Sequence, residues 1–286
     1  MRFPAGIANV GATCATSALL QCLCHVDAMR CWLASPSHRD PLAARLSNVL
    51  DAVRSGRGVV RTDDLLLDVY ARMRLSPGQP QDAAEIFVRL IDALTMSGGP
   101  PPPCETLVTT AVECDSCRRT SCTTEKTTTI HATASTATAL CRLFSVERLD
   151  DAWRCESCGS VGLGERRSVV PSPPPVIAIN VTCLIPDAVA DEVVEIGATP
   201  VRYRLVACVL HRHGGHFLAV LRVHDGRGWL VADDARVYAC AKPPGGVCLV
   251  FYARDVTRSV RATGRPRSRP FLNSKVVSSS VLTMRL

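Results

Sequence analysis

Lysine is nearly missing from this chain of 286 residues. Lys126, Lys242 and Lys275 are the only three, so the formal net charge of +7 comes almost wholly from arginine. That bias fits a GC-rich genome or selection against sites of lysine modification. No stretch approaches the roughly 18 to 20 uninterrupted apolar residues that a membrane helix needs, so a conventional membrane span and a membrane partner are excluded. The segment Met1-Arg2-Phe3-Pro4 reaches the first promising motif too soon to hold a cleavable signal peptide, and the expectation is an intracellular protein, in cytoplasm or nucleus. A content of 21% charged and 47% hydrophobic residues is that of a globular protein, long enough for lobes or subdomains.

What the chain has in excess is cysteine. Its fifteen cysteines are odd in number and irregular in spacing except for two Cys-x-x-Cys pairs. In a reducing compartment that pattern favours metal and nucleophile chemistry over a disulfide framework. One cysteine stands apart, in Asn9-Val10-Gly11-Ala12-Thr13-Cys14, running into Ala15-Thr16-Ser17-Ala18-Leu19-Leu20-Gln21. A glycine followed by a cysteine and an apolar stretch places a thiol at a helix N-terminus, where backbone N–H groups and the helix dipole favour the thiolate. Asn9 is near enough in sequence to offer an amide where an oxyanion would develop. Most buried cysteines are inert, so this stretch acquires meaning only with a base, an orienter and a groove.

Leu42, Leu46, Val49, Leu50 and Val53 trace one stripe of an amphipathic helix, and Thr62 reads as the N-cap of another carrying Leu65, Leu66, Val69, Tyr70 and Met73. A third helix opens at Gln79-Pro80-Gln81-Asp82-Ala83-Ala84-Glu85. Asp82 and Glu85 in its first turn either complement the dipole or form an acidic rim for an arginine-bearing peptide. The Gly/Pro break from Ser97 to Pro103 ends the helical part, and the Thr/Val/Ser-rich runs that follow read as strands. Among them lie Cys114-Asp115-Ser116-Cys117 and Cys155-Glu156-Ser157-Cys158. Together they offer four thiolates to a closed, structural zinc site, with an insertion between the two pairs; Cys122 and Cys141 belong to neither.

From Pro171 the apolar runs at 176–181, 203–210, 217–223, 229–232 and 247–252 predict an antiparallel meander. His216 opens one strand after Gly214-Gly215, and Asp233-Asp234 closes its neighbour, so a turn over 225–228 would set histidine beside carboxylate as base and orienter. His211 and His213 are read as structural. Beyond Tyr252 arginines recur among Ser, Thr, Gly and Pro, the pattern of a disordered basic tail that serves as a linker or meets nucleic acid or an acidic surface.

In this order the Cys box, acidic helix, paired knuckles, Gly-His and Asp-Asp resemble the ubiquitin-specific protease family of cysteine deubiquitinases. The resemblance covers the chain to about Arg254. It implies an α+β, papain-like cysteine protease of hand-like shape, with a helical thumb over about 1–97, zinc-bearing fingers over about 104–170 and a β-rich palm over about 171–254, followed by the tail at 255–286. It implies that Cys14 attacks the carbonyl of ubiquitin's C-terminal glycine, His216 shuttles the proton and Asp233 orients His216. Asn9 and the Cys14 N–H would bind the oxyanion, and Asp234 would assist. Gln81, Asp82, Glu85 and Gly215 would line the groove for ubiquitin's arginine-containing tail, with ubiquitin and ubiquitinated proteins as partners and Zn2+ as structural cofactor. Ala15, Ala18 and Pro80 stand where the family usually has an aromatic, serine and glutamine, and Ala12 replaces a frequent asparagine. A compact, arginine-rich member of this kind fits a large DNA virus. The competing expectations are a silent ubiquitin-binding scaffold using the same groove, and a zinc-ribbon nucleic-acid-binding protein with a basic tail.

Overall fold

The structure, a computed structural model, describes residues 3–255 except 77, 134, 182–189, 198–199, 213, 224–227 and 242–244. The basic tail from residue 256, His213 and most of the turn at 225–228 therefore lie outside the described residues. Among the described residues no helix is long and apolar enough to cross a membrane.

The first part of the chain is helical. A short strand β1 (Gly6–Ile7) leads to α1 (Cys14–His25), α2 (Asp27–Leu33) and α3 (Pro41–Ser55); β2 (Val59–Val60) pairs in parallel with β1 before α4 (Asp63–Met73) and α5 (Ala83–Met96). The stripe expected over 42–53 is α3, with Leu42, Leu46, Leu50 and Val53 buried. Its ends are set locally: the Asp40 carboxylate accepts the Leu42 N–H, Pro41 fills the first helical position, and Gly56 takes a left-handed φ of 66° at the C-cap. Helix α1 departs from a one-faced stripe. Every residue from Ala15 to Cys24 is buried, because helices cover one side of it and the large sheet the other.

Next come β3 (Thr106–Cys114) and β4 (Thr120–Thr127), then β5 (Ile130–Ala132), α6 (Thr136–Phe144), β6 (Glu147–Arg148) and β7 (Gly164–Val169). Strands β4, β3, β7 and β6, in that order, form a four-stranded sheet. Strand β4 is exposed along seven of its eight residues, so this sheet has little core of its own. The insertion expected between the two cysteine pairs is β4, β5, α6 and β6. Of these, β5 leaves the small sheet to pair in parallel with β8 of the large one.

The large sheet is built from β8 (Val176–Val181), β9 (Val193–Ile196), β10 (Val201–Arg212), β11 (His216–Arg222), β12 (Trp229–Asp233), β13 (Arg236–Cys240) and β14 (Val247–Arg254), in the order β13-β12-β11-β10-β14-β8-β5 with β9 also on β10. The expected meander holds for β10 to β12, and β13 extends it by a strand. The last strand departs from it: β14 crosses back to lie between β10 and β8. Successive side chains alternate between two cores. Ala207, Val209, Ala219 and Leu249 face the helices, while Cys208, Leu210, Val220 and Val250 face a second cluster that includes Leu140 of α6 and Val194 of β9. Burial on both faces is why these strands read as unbroken apolar runs rather than as alternation. Phe87 of α5 meets Phe251 of β14 edge to face, centroids 5.2 Å apart, joining helices to sheet.

Candidate active site

The site lies where α1 begins, beside the end of the large sheet. Two successive residues before the helix, Gly11 (φ 101°) and Ala12 (φ 50°), take left-handed conformations. Alanine in that region costs about 1–2 kcal/mol, so the loop must be held by its surroundings. Asn9 holds it: its Oδ1 accepts from Gly11 N (3.2 Å), Thr13 N (3.3 Å) and Thr13 Oγ1 (3.1 Å). Its Nδ2 donates to Asp234 Oδ2 at 2.9 Å. Thr13 is the N-cap of α1, yet its side chain caps no helical N–H, and the first turn carries no acidic side chain. The first N–H groups of α1, that of Cys14 among them, are therefore not taken up by a side chain of the cap or the first turn.

Across the sheet, Gly214 and Gly215 (φ 86° and 78°) make the tight turn that starts β11 at His216. His216 Nε2 sits 2.7 Å from Asp233 Oδ1, both side chains about one-third exposed. The juxtaposition expected from antiparallel neighbours is present, through β11 and β12 in register from Ala219↔Ala232 to Arg222↔Trp229. Cys14 Sγ lies 4.0 Å from the Gly215 carbonyl oxygen, so the thiol faces the backbone that carries His216. His211 stacks on Phe217 at 4.6 Å, a packing role as expected.

Strand β13 was not foreseen. A two-residue turn, Asp234-Ala235, joins it to β12 with Asp233 opposite Arg236, and Asp234 takes φ 50°. That turn sends the two aspartates to different partners, Asp233 to His216 and Asp234 to Asn9. The N-terminal strand props the turn from outside: Ile7 N donates to Asp234 O at 2.9 Å, and Gly6 crosses Ala235 so closely that an added Cβ would lie 2.3 Å from its carbonyl carbon. The second carboxylate oxygen, Asp234 Oδ1, is buried without a hydrogen-bond partner among the described residues, a position a water would satisfy.

The residues expected to line a substrate groove have local occupations. Asp82 caps α5, its Oδ1 accepting from Ala84 N (2.8 Å) and Glu85 N (2.9 Å); a cap of this kind contributes about 1 kcal/mol. Glu85 pairs with Arg89 one turn on, at 2.5 Å. The dipole-complementing alternative is thus what the local contacts display, and Gln81 Nε2 reaches the Ser76 carbonyl at 3.5 Å.

At the far end of the small sheet Cys114, Cys117, Cys155 and Cys158 bring their sulfurs within 4.8 Å of one another. Cys114 and Cys158 are 3.7 Å apart and Cys117 and Cys155 3.8 Å. A tetrahedron with Zn–S bonds of about 2.3 Å has edges of about 3.8 Å, so the four fit zinc. The two turns are built alike. Arg118 N donates to Cys114 O and Gly159 N to Cys155 O, both at 2.8 Å, and each donor residue is left-handed, at φ 57° and 73°. Hydrogen bonds from the Ser160 hydroxyl and backbone hold the Cys158 thiol below the ordinary range, while the neighbouring thiols push that of Cys117 up, as expected of four sulfurs crowded together. The exposed Cys122 and Cys141 are not part of the cluster.

The arrangement of thiol, imidazole and carboxylate at the junction of helices and sheet is that of a cysteine hydrolase. The chain belongs to the ubiquitin carboxyl-terminal hydrolase family, whose model matches residues 5–184, and is a thiol-dependent deubiquitinase. The matched stretch holds Cys14 and all four knuckle cysteines and ends before His216. Among solved structures it is similar to the SAGA DUB module Ubp8/Sgf11/Sus1/Sgf73 bound to monoubiquitin, with TM-score 0.71 and 19% identity over 88% of this chain and 69% of that one. The same module bound to ubiquitin aldehyde gives TM-score 0.70 and 17% identity over the same shares. These likenesses show the fold. No curated protein matches the chain in sequence.

Two contributors were missed in the sequence, Thr13 and Gly6. The first looks like an ordinary helix cap until its hydroxyl is seen to bond Val10 N and Asn9 Oδ1, and the second like any glycine near a terminus until β1 is seen to cross the Asp234-Ala235 turn.

Proposed function

We propose that Cys14 is the nucleophile that cleaves the isopeptide or peptide bond after ubiquitin's C-terminal glycine, with His216 as base and acid. The observation that carries this is the 2.7 Å His216–Asp233 contact at the strand end whose neighbouring Gly215 faces Cys14 Sγ. With Nε2 committed to Asp233, Nδ1 is the nitrogen left to take the thiol proton. The thiolate adds to the carbonyl carbon, and the oxygen becomes an oxyanion. It is met by the N–H groups at the start of α1 and by the Asn9 amide, which Asp234 holds by one hydrogen. Collapse breaks the C–N bond, and the lysine amine or peptide nitrogen leaves with the proton from His216. Water then attacks the thioester while His216 takes its proton, releasing ubiquitin's carboxylate and restoring the thiol. Asp233 holds the ring and stabilises the imidazolium.

Ubiquitin's arginine-containing tail would lie along Gln81, Asp82, Glu85 and Gly215, and its arginines would compete with Arg89 for Glu85. Cys114, Cys117, Cys155 and Cys158 would hold one zinc ion that clamps the poorly cored small sheet; with four thiolates it has no open position and takes no part in the chemistry. Hydrolysis of a fluorogenic ubiquitin conjugate by the wild type, lost in Cys14→Ala, supports the reading. Tight ubiquitin binding with no turnover would identify a silent scaffold instead.

A further inference from the structure

We propose that Thr13 is a positioning residue for the oxyanion site, a role that rests on the reading of Cys14 and Asn9 above. A threonine at an N-cap ordinarily turns its hydroxyl forward onto the N–H of the first turn. Thr13 turns it backward. Its Oγ1 accepts from Val10 N at 3.1 Å and donates to Asn9 Oδ1 at 3.1 Å, while its own N–H donates to the same Oδ1 at 3.3 Å. The residue is only 4% exposed, and the helix it begins has no side-chain cap.

Two consequences follow from this reversal. The loop Val10–Ala12, with left-handed residues at Gly11 and Ala12, is closed on itself by a hydroxyl that bridges its two ends. The Asn9 amide also acquires one orientation: with three donors on Oδ1, the Nδ2 group is turned to Asp234 and its second hydrogen is left for a ligand. Diverting the hydroxyl simultaneously leaves the α1 N-terminus uncapped beside Cys14. One side chain thus fixes the amide donor and keeps the backbone donors available.

The role separates from simple structural support because it acts through Asn9. The test measures kcat and KM on a fluorogenic ubiquitin substrate for the wild-type chain, Thr13→Val, Thr13→Ser, Asn9→Ala and the Asn9→Ala/Thr13→Val double variant. Loss of the hydroxyl loosens an oxyanion donor without deleting it, so Thr13→Val should lower kcat by about 10-fold, less than the 10²–10³ of removing a donor outright. KM should stay within about twofold, because the donor acts on the transition state. Thr13→Ser should restore most of kcat, and in the Asn9→Ala background Thr13→Val should cost nothing further. If Thr13→Val does not fold, Thr13→Ala against Thr13→Ser isolates the hydroxyl at equal loss of the methyl group. An active wild type with Thr13→Val unchanged, or a kcat loss that persists without Asn9, overturns the proposal and leaves the reading of the site intact. A wild type with no turnover overturns both.

Discussion

Gly6→Ala tests whether the N-terminal strand props the Asp234-Ala235 turn beside the candidate site. The ideal Cβ would lie 2.3 Å from both the carbonyl carbon and oxygen of Ala235 and 2.7 Å from its Cα, all backbone atoms that cannot swing aside. Ordinary contact begins near 3.5 Å, so β1 or the turn must retreat by about 1 Å. That movement stretches the Ile7 N to Asp234 O bond from 2.9 Å beyond useful range and displaces the residue that holds Asn9. Overpacking costs about 1–3 kcal/mol and the lost hydrogen bond about 1 kcal/mol more. At about 2–4 °C per kcal/mol, the melting midpoint should fall by about 4–16 °C. A displacement of about 1 Å in the reacting geometry costs up to about 10²-fold in rate, so kcat should fall by about 10- to 100-fold below the unfolding transition. Gly99→Ala is the control. Its Cβ would collide with Leu94 O at 2.6 Å and the His38 ring at 2.7 Å, in the helical part and among none of the proposed catalytic groups. Differential scanning calorimetry and turnover of a fluorogenic ubiquitin conjugate read both variants. The reasoning is refuted if Gly6→Ala keeps full kcat, or if Gly99→Ala loses as much activity at equal loss of stability.

The two aspartates should separate by assay. Asp233→Ala removes the orienter of His216 and should lower kcat by about 10²–10⁴-fold; Asp234→Ala should cost about 10-fold and add nothing in an Asn9→Ala background, and a pH–rate profile set by Asp234 rather than Asp233 would reverse their roles. Removing metal with a chelator, or Cys155→Ser, should release one equivalent of zinc and expose the small sheet to protease, because exposed β4 gives it little other support; stoichiometric zinc in a folded Cys155→Ser protein would contradict the four-sulfur site. Arg118→Gly replaces a left-handed arginine by the residue its counterpart Gly159 already is, at the cost of the exposed Glu113 ion pair, and should raise stability by about 0.5–1 kcal/mol in a zinc-loaded melt. A lower melting temperature would mean that the pair outweighs the strain.

Much of this site is legible in the sequence because its pieces are local. The Cys14 box fixes a helix start, two Cys-x-x-Cys spacings fix two matching cysteine turns that fit a metal, and His216 and Asp233 fall at adjoining strand ends. What the sequence hides depends on contacts remote along the chain. Asp234 reads as a second copy of Asp233 until the two-residue turn into β13 sends it to Asn9, 225 residues away. Thr13 reads as a cap until its hydroxyl is seen to face backward. The crossing of β14 to the far side of β10 is likewise invisible, since a run of β-branched residues states that a strand is buried but not which neighbour buries it. Asp82 shows the converse: its cap is written in the local sequence, whereas any meeting with a substrate arginine requires the partner.

The most direct test is mass spectrometry of the full chain after reaction with ubiquitin carrying a C-terminal electrophile. A single ubiquitin adduct on Cys14, present in the wild type and absent in Cys14→Ala, is the result expected if this thiol is the nucleophile. An adduct on any of the other cysteines, or labelling that survives Cys14→Ala, would contradict it.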